Sequence, residues 1–121
     1  MPITLTINQL PPSINATYKA RCICGHGAIY KSNEAKDWQV LAQREAREIM
    51  GNIYPLKGNL EMEIFMTYKR ERDIDGSLKL LLDALQGICY DNDSQVKRLI
   101  ITKEKGKEEN IKVVIEELNN L

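Results

Sequence analysis

The residues best suited to chemistry in this chain are acids at short spacing. Arg72-Asp73-Ile74-Asp75 stands where a strongly alternating segment gives way to a helical one. If the strand continues to Asp73, two-residue spacing puts Asp73 and Asp75 on one side of the chain. Two carboxylates so placed repel each other unless a proton or a cation intervenes. A hard divalent ion relieves that repulsion, and magnesium needs only one or two carboxylates plus water and phosphate. Asp75 equally suits a helix N-terminus as a cap, which leaves the pair as metal ligands or as a cap with a surface neighbour. Asp75, Lys79 and Asp83 are spaced four apart and share a helix face. Lys79 there either steadies a phosphate and its developing charge, or makes ordinary surface ion pairs worth ~0.3–0.5 kcal/mol each. A third acidic element, Tyr90-Asp91-Asn92-Asp93-Ser94-Gln95-Val96, is a polar turn opening a strand. It lacks the Gly and the distant Glu of a calcium-binding EF-hand loop.

These residues need elements to hold them, and the apolar periodicity supplies them. Ile3-Thr4-Leu5-Thr6-Ile7 alternates as a half-buried strand, ended by Pro11-Pro12. The stretch to about Lys31, rich in small and polar residues, reads as a loop. Ser32 is a candidate N-cap, and Trp38, Leu41, Ala42, Glu45 and Ile49 follow at helical spacing up to a stop at Gly51. Leu60, Met62, Ile64, Met66 and Tyr68 alternate with Glu61, Glu63 and Thr67 as the cleanest strand. Asp75 to Gln86 reads as a helix on Leu78, Leu81, Leu82 and Leu85, with Gly87 past its end. Val96 to Thr102 and the Ile111, Val113, Ile115 alternation predict two last strands, read as an antiparallel hairpin around Gly106. The order β-α-β-α-β-β predicts an α+β (mixed α/β) fold, one four-stranded mixed sheet covered by two helices.

In combination the motifs carry a resemblance. Pro11-Pro12-Ser13-x-Asn15-x-x-Tyr18, Arg72-Asp73-x-Asp75-x-x-x-Lys79-x-x-x-Asp83-Ala84-Leu85 and Asn92-Asp93-x-Gln95-Val96 together resemble the RusA family of Holliday junction resolvases. The likeness spans most of the chain. It implies a homodimer that binds four-way DNA junctions and nicks two strands of like polarity with Mg2+. It further implies Asp73, Asp75 and Asp93 as catalytic metal ligands, Lys79 as the catalytic lysine and Arg72 as the basic residue before the first acid. Asp83 matches an acidic helix position with a supporting role. Two positions depart from the pattern. Gly76 stands where an Asn commonly follows the second Asp, and Asn92 replaces the first acid of an Asp-Asp pair, leaving Asp91 as the alternative third ligand. A catalytically impaired branched-DNA-binding protein and a non-catalytic interaction domain are the competing expectations.

Composition bounds the rest. A length of 121 residues, 43% of them hydrophobic, suits a single domain over 1–121 with a real core. No apolar run is long enough to cross a bilayer and the N-terminus does not read as a signal peptide, so the expected location is cytoplasmic, with no membrane partner. Net charge is zero, but it is unevenly spread. No acid precedes Asn33, while Lys19, Arg21 and Lys31 do; Lys69, Arg70 and Arg72 precede the first acidic motif; Lys97 and Arg98 open the late basic run. These groups can face phosphates or form a solvated surface. Cys22-Ile23-Cys24-Gly25-His26 has tighter spacing than a usual zinc site, with only Cys89 left as a fourth ligand, and a DNA-facing loop is the preferred reading. Tyr30 and Tyr54 are candidates for base stacking, and Trp38 belongs in the core.

Overall fold

The computed structural model describes the chain except residues 1, 13–17, 24–25, 32, 71–74 and 119–121; for 18–23, 26–31 and 75–77 it describes the backbone alone. Strand β1 (Ile3–Ile7) comes first, then β2 (Tyr18–Ile23) and β3 (His26–Lys31). Helix α1 (Asn33–Met50), β4 (Leu60–Tyr68), α2 (Asp75–Leu85), β5 (Val96–Lys105) and β6 (Asn110–Glu117) follow. Four strands form a mixed sheet in the order β1-β6-β4-β5. The β6 strand is antiparallel to β1 and β4, while β4 and β5 run parallel. The expected four-stranded sheet with two helices is therefore what forms.

Alternation explains which face the helices cover. Ile3, Leu5 and Ile7 oppose Ile115, Val113 and Ile111, which in turn oppose Met62, Ile64 and Met66. All nine are buried in one cluster with Trp38, Ala42 and Ala46 of α1 and Leu80, Leu81, Ala84 and Leu85 of α2. Thr4, Thr6, Lys112 and Thr102 lie on the other face and are exposed. Trp38 donates its indole N–H to the Gln9 carbonyl at 2.7 Å, and Gln39 donates to the Leu80 carbonyl at 3.2 Å. The first bond pins α1 to the end of β1 and the second pins it to α2.

Three expectations need correction. The last two strands are no hairpin: β4 lies between them, and Gly106 crosses its end with its N–H on the Tyr68 carbonyl at 2.9 Å. Both strands satisfy alternation equally well beside β4, which is apolar along a whole face and so accepts a neighbour on each edge. The stretch read as a loop holds a two-stranded ribbon, β2 against β3, with Ile23 opposite His26. Ile49 is exposed, because the buried stripe of α1 runs through Ala35, Trp38, Ala42, Ala46 and Met50 instead. Both predicted helix stops hold, Gly51 at φ 54° and Gly87 at φ 88°, a region open to glycine without steric cost.

Candidate functional site

The chain leaves α2 through a tight return. Ile88 and Cys89 donate backbone N–H groups to the Leu85 carbonyl, and Gly87 donates to the Tyr90 carbonyl at 2.6 Å. Tyr90 is fully buried and its hydroxyl donates to the Leu82 carbonyl at 2.7 Å, tying the return to the body of α2. Burial first, then the charges of Cys89, Asp93 and Asp83, push the Tyr90 phenol well above its usual range. Asp83 and Asp93 thus both lie within electrostatic reach of one phenol. Burial raises the Cys89 thiol to about 11.

The acidic turn after Tyr90 is capped by its own side chains. Asn92 accepts from the Ser94 N–H at 2.9 Å and caps a single 3-10 turn, Asp93–Gln95. Gln95 reaches back to accept from the Asp91 and Asn92 N–H groups. The two acids of the turn differ in their partners. Asp91 forms an ion pair with Lys57, from the segment before β4. Asp93 is exposed, its N–H is directed at Gln86 Oε1 at 3.4 Å, and its carboxylate forms no ion pair among the described residues. Of the two candidates for a third ligand, Asp93 is the one with no ion pair among the described residues.

The other expected site residues are distributed along α2 and the sheet ends. Arg72 and Asp73 lie outside the described residues, and Asp75 is the first residue of α2, described by its backbone alone. β4 ends at Tyr68, and the expected strand spacing at Asp73 lies outside the described residues. Lys79 and Asp83 are exposed on α2. Asp83 follows Asp75 by two turns, about 12 Å of helical rise. Asp93 directs its N–H at Gln86, just past the C-terminal end of that helix. Among the described side chains no three acids, histidines or cysteines gather as a metal cluster. The donor that is described, an exposed carboxylate with no cation partner among the described residues, is an oxygen ligand of the kind hard ions such as magnesium take.

The basic candidates fall in three places. Lys69 and Arg70 are exposed just past the end of β4, Lys97 is exposed at the start of β5, and Lys19 and Arg21 pair with Tyr30 and Ala28 in the ribbon. Tyr54 is 85% exposed, whereas Trp38 is buried as expected. An open groove of about 610 Å³ between α1 and the Gln9–Pro12 segment shares no residue with the acidic turn. The Lys57–Asp91 ion pair was not read from the sequence. Only a contact between distant segments reveals it.

A family model described as Endodeoxyribonuclease RusA matches residues 10–116, a span that includes both helices and the acidic turn. The class is thus that of enzymes that cut DNA internally. The chain belongs to the RusA family, whose members are Holliday junction resolvases that bind branched DNA. Comparison with curated proteins gave no match. No described helix is long and apolar enough to cross a membrane.

Proposed function

We propose that this protein is a cytoplasmic homodimer that resolves four-way DNA junctions by paired, magnesium-dependent nicks in recombination and repair. The observation that carries the reading is the state of the acidic turn within a RusA-family chain: Asp91 is engaged by Lys57, and Asp93 stands exposed with no ion pair among the described residues. Asp73, Asp75 and Asp93 would hold the cation, with Asp83 as a neighbouring acid. When bound, magnesium supplies a more acidic water and offsets charge on the attacked phosphate.

The remaining work belongs to the chain. Lys79, one turn along α2 from Asp75, would steady the phosphate and the departing oxygen, joined by Arg72. Lys69, Arg70 and Lys97, with Lys19 and Arg21 of the ribbon, would neutralise backbone phosphates without reading bases. Two sites related by a two-fold axis match a junction of near two-fold symmetry, so cuts come in pairs.

A labelled four-way junction tests this. Symmetric nicks with magnesium, none with chelator, and an Asp73→Asn variant that binds without cutting are the expected results. A retarded complex that never yields product would favour the binding-only reading, which Gly76 and Asn92 motivate. Neither binding nor cutting would leave an interaction domain.

A further inference from the structure

We infer that Gln95 is a positioning residue: its carboxamide locks the acidic turn to the segment before β4 and thereby sets where the Asp93 carboxylate stands. The inference rests on the proposed role of Asp93 as a cation ligand. It is carried by hydrogen bonds to backbone groups far apart in the chain. Gln95 Oε1 accepts from the Asp91 and Asn92 N–H groups, each at 2.9 Å. Gln95 Nε2 donates to the Leu56 and Gly58 carbonyls, each at 2.9 Å. A primary amide has two donor hydrogens and an acceptor oxygen with two lone pairs. Every one of these is used here, and every partner is backbone.

The side-chain type is what makes the lock possible. Glutamate at neutral pH would keep the acceptor and lose both donors; methionine would match the length and lose everything polar; asparagine would stop one methylene short. The lock also decides the fate of both acids. Lys57 lies between the two carbonyls that Gln95 holds, so the frame that fixes the turn also brings Lys57 to Asp91. Asp93, two residues on in the same turn, is exposed, and its backbone N–H is directed at Gln86 Oε1. Groups that orient a metal-holding side chain are typically worth ten- to hundredfold in affinity or activity.

The test compares the unchanged protein with Gln95→Met and Gln95→Asn. Magnesium binding is read by calorimetry without DNA, cutting by its magnesium midpoint, junction binding in chelator by gel retardation, and folding by thermal melts. The expected result is magnesium binding weakened by about ten- to hundredfold in Gln95→Met. The cutting midpoint should move by the same factor with junction binding retained, and Gln95→Asn should be intermediate. In the unchanged protein, the Gln95 carboxamide protons should exchange slowly with solvent by NMR, a reading that needs no variant to fold. Free exchange of those protons overturns the inference, as does a folded Gln95→Met protein with unaltered magnesium binding and midpoint. If the unchanged protein cuts and Gln95→Met matches it, the lock alone falls. An unchanged protein that neither binds magnesium nor cuts overturns the proposed function and the lock together.

Discussion

Two aspartates in one short turn illustrate how neighbours with the same side chain acquire different chemistry. Asp91 and Asp93 are both exposed, but only Asp91 meets a cation from another segment. An exposed pair of this kind contributes at most about 1 kcal/mol. Asp91→Asn is therefore expected to leave cutting within about threefold and to lower stability by less than about 1 kcal/mol, read by denaturant titration. Asp93→Asn is expected to keep junction binding and lose at least about a hundredfold in cutting rate, because a ligand of the cation goes with the charge. Buried Cys89 adds a pH effect of definite sign. Its folded thiol titrates at about 11 against an ordinary value of 9.0, so the folded state holds its proton longer than the unfolded chain. The stability this contributes is full below pH 9 and declines as pH rises from 9 to 11. Tyr90, shifted in the same direction, extends the decline to higher pH. A Cys89→Ala protein should show a shallower loss over that window in denaturation midpoints.

At the level of elements, the crossing between β5 and β6 is the feature most exposed to test. The link must pass over the end of β4, and a Cβ placed on Gly106 would come within 2.5 Å of Thr67 Cγ2. Gly106→Ala should therefore cost about 1–2 kcal/mol in thermal or denaturant unfolding. Thr67→Ser, which lacks that methyl, should restore most of the loss in the double variant. Both elements that flank the Arg72-Asp73-Ile74-Asp75 motif were legible beforehand. Leu60 to Tyr68 alternates except at Phe65, and the leucines of Asp75 to Leu85 recur at helical steps. The ribbon of β2 and β3 escaped notice because the sequences of Tyr18–Ile23 and His26–Lys31 show no clear apolar alternation. Lys19 and Arg21 alternating with Tyr18, Ala20 and Cys22 was the available signal. It is weak, since Ala and Cys are small and mark an apolar face poorly.

For the whole molecule, the one-sided cover of the sheet sets which changes are tolerated. Leu81 is fully buried between helix and sheet, and Leu81→Ala should lose about 2–5 kcal/mol by denaturant titration. Ile49 is 45% exposed on the outer side of α1, and Ile49→Lys should stay within about 0.5 kcal/mol of the unchanged protein. Periodicity along the chain determined the strands, the helices and their apolar faces, because burying one side of an element leaves a mark at fixed intervals. The same string of residues, through short motifs held in common with a nuclease family, determined which acids and bases were worth watching. It left open which strands become neighbours, since β5 and β6 suit a hairpin or a sheet with β4 between them equally well. It left open, too, which aspartate of the turn pairs with a lysine. That depended on Lys57 meeting Asp91 and Gln95 meeting the Leu56 and Gly58 carbonyls, and contacts between segments distant in sequence leave no periodic trace within either one.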